Sequence, residues 1–128
     1  MDSECILEID VTCLPAYAVK GHTMDVVMIP FTGEAHGPYF TGRVLGTGCD
    51  TQKYGKDGRG RLSARYMLEG RDAAGAECRV FIENEGEGEW HPKLVTDSEC
   101  LKAWEETPLR ATVEPAENGV TVRIFRDR

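Results

Sequence analysis

The sequence predicts a mainly β domain: a small antiparallel barrel of about seven or eight strands with one short helix. Three observations lead to this prediction. Apolar and polar residues alternate with a period of two in several runs, as in half-buried strands. Turn-forming pairs such as Asp57-Gly58 and Asn118-Gly119 separate these runs. The length of 128 residues, 14 of them glycine, fits one domain spanning residues 1–128 with one core.

Three runs in the first half of the chain have strand character. Residues 5–13 alternate, with Ile6 as the exception, and Pro15 ends the run because proline cannot donate to a strand ladder. Residues 24–31 are apolar on both parities, which is typical of a strand covered on both faces. Residues 39–45 follow the Gly37-Pro38 turn. Residues 46–58 are glycine-rich, and we expect them to form an irregular connection.

Two hairpins and a helix are predicted in the second half. Residues 62–69 and 77–85 form one hairpin, and residues 109–113 and 120–124 form the other. Between them, Thr96-Asp97-Ser98-Glu99 fits a capping box, and an apolar pair follows at helical spacing. We therefore predict a helix over residues 97–106. The strand count fits a closed barrel or a sandwich, and spacing does not decide between them.

Charge and composition narrow the range of partners. The net charge of -7 opposes binding to nucleic-acid phosphates. The N-terminus lacks the positive region of a signal peptide, and the longest apolar run, residues 26–31, is too short to span a bilayer. We expect a cytoplasmic protein that binds neither nucleic acid nor membranes.

Metal ions and cofactors are not expected. The five cysteines form no Cys-x-x-Cys pair, and their odd number argues against a disulfide framework. The three histidines lack ligand spacing with one another or with the cysteines. His36 and His91 are predicted in loops, where a general base at a barrel rim and a solvated histidine both remain open.

A family resemblance rests on motifs between residues 37 and 86. These motifs are Gly37-Pro38, Gly42, Gly46-Thr47-Gly48-Cys49-Asp50-Thr51-Gln52, Asp57-Gly58, Ala64-Arg65-Tyr66 and Glu83-Asn84-Glu85-Gly86. In them the chain resembles the bacterial family called domain of unknown function 3237. The resemblance covers about half of the chain and implies a small barrel, lipocalin-like or similar, with a polar interior cavity. The sequence departs from the family at Thr51, where an aromatic residue is usual, and in a shortened section after the Asn84 turn.

The resemblance also implies a set of interior polar residues. Asp50, Gln52, Arg65 and Glu83 match polar positions of the family. If the interior lies on the side of Arg65 and Glu83, these residues form a carboxylate–guanidinium set that binds a polar ligand or transfers a proton. A cross-strand ion pair on a solvated face is the alternative.

Two neighbouring residues are candidates for the rim of the cavity. Trp90 and His91 lie in the polar loop after the second predicted hairpin strand. Trp90 is expected either to stack on a ligand, to contact another subunit or simply to pack against the core. With Asp50, Gln52, Arg65 and Glu83, these two residues complete the predicted ligand-binding set.

Three functions remain open at this point. The first is a barrel that binds a small polar organic ligand in its interior. The second is a cofactor-free lyase, isomerase or cyclase that uses an interior carboxylate or a rim histidine. The third is an interaction module without a small-molecule site, in which residues 26–31 pair across a homo-oligomer.

Overall fold

The computed structural model describes residues 3–127 and builds them into one antiparallel sheet with a short 3₁₀ helix. Ten strands make up the sheet within this range. They are β1 (Ser3–Cys13), β2 (Tyr17–Lys20), β3 (Met24–His36), β4 (Phe40–Val44), β5 (Gly48–Gly55), β6 (Gly60–Asp72), β7 (Glu77–Gly86), β8 (Lys93–Thr96), β9 (Leu109–Ala116) and β10 (Gly119–Asp127). The 3₁₀ helix, Lys102–Glu105, lies between β8 and β9. No helix among the described residues is long and apolar enough to cross a membrane.

The strand order is β8-β7-β6-β4-β3-β1-β10-β9. Both β4 and β5 lie between β3 and β6, each paired with a different stretch of these long strands. On the other edge of β3, β1 and β2 likewise pair with different stretches of this strand. One isolated bridge joins β9 to the segment between β7 and β8, where the Ala111 N–H donates to the Trp90 carbonyl at 2.9 Å.

The predicted number of seven or eight strands is wrong, because β2, β5 and β8 were not predicted. The omission of β5 matters most, since its glycines suggested a loop. A Cβ at Gly48 would lie 2.5 Å from the Phe31 ring and 2.7 Å from the Tyr66 Cβ. Gly48 is therefore required by close packing inside the sheet, not by a turn. β2 and β8 are only four residues long, too short to show a clear period.

The helix predicted over residues 97–106 is also wrong in extent and type. Only Lys102–Glu105 is helical, and it is a 3₁₀ helix. The Thr96 hydroxyl accepts from the Ser98 N–H at 3.1 Å, and the Glu99 carboxylate binds Lys102 Nζ at 3.0 Å, so the capping box does not form. Local side-chain bonds compete here with helix formation.

Alternation along β1 places the core where the sequence predicts it. Leu7, Ile9 and Val11 are buried on one face, and residues between them point outward. Ile6, the predicted exception, is buried too, because the register with β10 shifts between Cys5 and Leu7. A β-bulge of this kind turns an extra side chain toward the core.

Both edges of β3 are occupied within the sheet. β5 pairs with residues 24–31 on one edge, and β2 and β1 pair on the other. Within the described residues, residues 26–31 therefore offer no free backbone edge to another copy, and a homo-oligomer that uses this strand stays a prediction.

Candidate functional site

A small pocket lies on the inner face of the sheet, at the end where β5, β6 and β7 face β1, β9 and β10. Its volume is about 80 Å³. The lining is mostly apolar, with a few polar groups directed inward, which is the usual character of a ligand site. The lining residues are Val11, Phe31, Asp50, Leu62, Ala64, Tyr66, Asn84, Trp90, Val113 and Val122.

Strand register brings the polar side chains of the pocket together. Asp50 of β5 pairs with Ala64 of β6, and Ala64 pairs with Asn84 of β7. The three residues form one row across the sheet on the same face, and the small Ala64 leaves space between the two polar ends. Tyr66 lies two residues farther along β6, so period two keeps it on this face. Its ring packs edge-on against Phe31, with centroids 5.3 Å apart.

Three of the residues that line this pocket each carry a polar atom that is buried without a hydrogen-bond partner among the described residues. These atoms are Asp50 Oδ1, the Tyr66 hydroxyl and Asn84 Oδ1. Each buried polar group left unpaired costs about 1–3 kcal/mol. Five such side-chain atoms occur in residues 3–127, and three of them converge here. The pocket therefore concentrates unused hydrogen-bonding capacity.

The Asp50 carboxylate is held in place by its other oxygen. Gln52 Nε2 donates to Asp50 Oδ2 at 2.9 Å, and the Tyr54 hydroxyl donates to Gln52 Oε1 at 2.7 Å. This chain of bonds follows one face of β5. Burial raises the pKa of Tyr66 well above its ordinary value, so its hydroxyl stays protonated and acts as a donor.

Arg65 and Glu83 lie on the opposite face of the sheet. They pair across β6 and β7 as predicted, with Arg65 Nε 2.9 Å from Glu83 Oε2. The Arg65 side chain is 65% exposed. Their neighbours Tyr66 and Ile82 are the residues that point inward. This geometry corrects the expectation that Arg65 and Glu83 share an interior cavity with Asp50.

Trp90 and His91 point in different directions. Trp90 lines the pocket beside its bridge to Ala111. The His91 side chain is 70% exposed, and its Nδ1 lies 3.3 Å from the Leu109 carbonyl oxygen, over a separate surface depression. Of the six predicted ligand-binding residues, Asp50 and Trp90 line the pocket and Gln52 supports Asp50, whereas His91, Arg65 and Glu83 do not line it.

Tyr66 and Asn84 were not among the predicted site residues, although the sequence contains a signal for both. Each lies on the apolar parity of its strand: Tyr66 follows Leu62 and Ala64, and Asn84 follows Ile82. A polar side chain on a buried parity needs an internal partner or a ligand. The prediction instead gave weight to charged residues on the polar parity, which is the outer face.

Comparison with known proteins supports the fold and the family. Residues 2–114 match the family described as "Protein of unknown function (DUF3237)". No curated protein matches the sequence. A protein of unknown function from Clostridium acetobutylicum ATCC 824 is 22% identical, with a TM-score of 0.82 and 98% of each chain covered.

Two further solved structures share this fold. An enzyme from Penicillium herquei is 20% identical, with a TM-score of 0.77, and the match covers 98% of this chain and 92% of that one. A beta-barrel like protein from Acinetobacter baumannii AYE is 16% identical, with a TM-score of 0.76, over 98% of this chain and 94% of that one. These identities show a common fold alone. The family match spans most of the sequence, and the chain therefore belongs to the DUF3237 family.

Proposed function

We propose that this protein binds a compact organic molecule in the inner pocket, within a sheet that acts as a barrel closed at the Trp90–Ala111 bridge. One observation carries the proposal: three residues that line one pocket each carry a buried polar atom without a partner among the described residues, namely Asp50 Oδ1, the Tyr66 hydroxyl and Asn84 Oδ1. A ligand that pairs with these atoms would supply hydrogen bonds that no described residue supplies.

The polar trio and the apolar walls define the class of ligand. Asp50 and Asn84 present acceptors, which suit hydroxyl or N–H groups, and the Tyr66 hydroxyl is a donor suited to a carbonyl oxygen. The walls, which include Phe31 and Val122, suit an apolar body. A volume of about 80 Å³ takes roughly half a dozen non-hydrogen atoms. We therefore favour compact hydroxy-carbonyl compounds, such as hydroxylactones and cyclic enolones.

Larger ligands can reach the same groups from outside. Val113 lines the pocket and is 39% exposed, so the pocket communicates with solvent on that side. A ligand with its polar head near Asp50 could leave its remaining atoms outside the sheet. Trp90 lies at the same pocket and offers an aromatic surface for stacking.

A thermal-shift experiment with matched variants tests the proposal. The panel consists of compact hydroxy-carbonyl compounds, screened against the wild type, Asp50→Asn, Tyr66→Phe and, as the outer-face control, Arg65→Ala. Binding to the folded state raises the melting temperature. We expect hits whose shift is lost in Asp50→Asn and Tyr66→Phe but kept in Arg65→Ala. Hits that keep their full shift in both pocket variants would place the ligand elsewhere and overturn the proposal.

Proton transfer is the second function that a specific observation favours. A carboxylate and a protonated phenol line the same pocket, which is the pairing of base and donor that isomerases and lyases use without a cofactor. A protein of the same fold, from Penicillium herquei, is described as an enzyme. The test is exchange of ligand C–H hydrogens with deuterated solvent, followed by NMR. Exchange accelerated by the wild-type protein supports catalysis, and binding without exchange supports a binding protein.

A further inference from the structure

We propose that Glu8, Asp10 and His36 form a binding site for a divalent transition-metal ion on the outer face of the sheet. Glu8 and Asp10 lie on β1, and His36 ends β3 directly opposite Glu8 in the strand register. One ligand atom from each of the three residues lies within 4.8 Å of the other two. The site is separate from the inner pocket, because these side chains take the parity opposite to Ile9 and Ala35.

The two distances from His36 Nε2 to the carboxylates match the spacing of ligand atoms around a tetrahedral ion. His36 Nε2 lies 3.3 Å from Glu8 Oε2 and 3.2 Å from Asp10 Oδ2. Two ligand atoms that each lie about 2.0 Å from a tetrahedral zinc ion are about 3.3 Å apart. His36 Nε2 is therefore already placed so that it and either carboxylate oxygen can bind the same ion.

A neighbouring arginine fixes one of the ligands. Arg123 Nε donates to Glu8 Oε1 at 2.8 Å, and Arg123 also pairs with Glu114 at 3.3 Å. Glu8 thus offers its second oxygen, Oε2, in a fixed direction toward His36. Supporting bonds of this kind orient metal-ligating carboxylates in known sites.

Electrostatics favour a cation at the same place. Asp10 lies directly opposite Glu34 across β1 and β3, and like charges opposite each other destabilise a sheet. Arg123 and Arg43, which faces Glu34 from β4, offset part of this charge. A divalent ion between Glu8 and Asp10 would offset more of this negative charge than His36 does, because exposed ion pairs stabilise a protein little.

The ligand set selects the class of metal. One imidazole nitrogen and two carboxylate oxygens suit Zn²⁺ and the neighbouring divalent first-row metals. Calcium and magnesium prefer sites made of oxygen alone. Three protein ligands leave the fourth tetrahedral position for water.

Calorimetric titration with Zn²⁺ and Co²⁺ tests the proposal on the wild type, His36→Ala, Asp10→Asn and the control His91→Ala. The exposed thiols of Cys13 and Cys100 are competing ligands, so the Co²⁺ spectrum must show visible bands without thiolate charge transfer. We expect one equivalent bound by the wild type and by His91→Ala, and binding weakened about tenfold or more in the other two variants. The side chains of His36 and Asp10 are more than half exposed, so both variants should keep the fold, and Asp10→Asn also preserves the shape of the side chain.

Four outcomes would overturn the proposal. They are no saturable binding by the wild type, full affinity in His36→Ala and Asp10→Asn, equal loss in His91→Ala, or a thiolate-dominated Co²⁺ spectrum. The first would show that the three side chains do not hold a metal ion. The last would place the metal on the cysteines.

Discussion

Replacing Tyr66 with phenylalanine should stabilise the protein while weakening its binding of ligands. Tyr66 is 5% exposed, and its hydroxyl is buried without a partner among the described residues. The substitution removes this hydroxyl and keeps the ring, which packs edge-on against Phe31 at 5.3 Å. The effect therefore isolates one polar atom of the pocket.

The magnitude follows from the cost of an unpaired hydroxyl. Leaving a buried donor unsatisfied costs about 1–3 kcal/mol, so Tyr66→Phe should raise the free energy of unfolding by about 1–2 kcal/mol. Tyr39→Phe is the matched control, because the Tyr39 hydroxyl donates to Glu4 Oε2 at 2.6 Å and accepts from Arg126 Nη2 at 3.1 Å. Because Tyr39→Phe loses hydrogen bonds to charged groups, it should lower the free energy of unfolding by about 1.5–3 kcal/mol.

Equilibrium unfolding in urea measures both changes. The two variants should shift the midpoint in opposite directions while the slope m stays constant, because the surface exposed on unfolding hardly changes. Melting temperatures should follow with the same signs. If Tyr66→Phe destabilises the protein as Tyr39→Phe does, the Tyr66 hydroxyl has a partner in solution, and the argument from the unpaired trio fails.

Three further predictions concern the fold. The Ser98 hydroxyl, which donates to Asp72 at 2.7 Å, lowers the pKa of Asp72 below its ordinary 3.8. The resulting stability is present above pH 3.8 and lost as the pH falls through the lower folded-state pKa, so urea midpoints of Asp72→Asn should fall less than those of the wild type below pH 3.8. Trp104→Ala should cost about 3–5 kcal/mol in urea unfolding, because Trp104 is only 4% exposed; a change below 1 kcal/mol would contradict its place in the core. Gly70→Ala should cost about 1–3 kcal/mol in a thermal melt, because the new Cβ would overlap the Thr41 carbonyl oxygen, and an unchanged melting temperature would contradict this contact.

The sequence predicts long alternating strands well and short or interrupted ones poorly. β1, β6 and β7 each run for ten residues or more, and period two identifies them and their inner faces. β5 was missed because a glycine considered by itself is typical of a turn. The reason for glycine at position 48 is its contact with Phe31, which lies 17 positions earlier in the chain. Contacts of that range cannot be read from local periodicity.

The same dependence on contacts between distant residues explains which site residues the sequence could predict. Asp50 was predicted from the family resemblance, and the register of β5 places it in the inner pocket. Arg65 was predicted too, although alternation along β6 assigns it to the face opposite Tyr66. His36 lies 26 positions from Asp10, so only the pairing of β1 with β3 makes the metal-ligand set visible.

The polar trio also links stability to function. Three unpaired atoms at about 1–3 kcal/mol each amount to a large fraction of the 5–15 kcal/mol that stabilises a typical domain. Replacing Asp50, Tyr66 and Asn84 by apolar residues would remove this cost, so their presence in an otherwise apolar pocket makes sense if a bound molecule completes their hydrogen bonds. The empty protein should then be the less stable form, and a true ligand should raise stability by more than its contact area alone suggests, because it pairs groups that folding left unpaired.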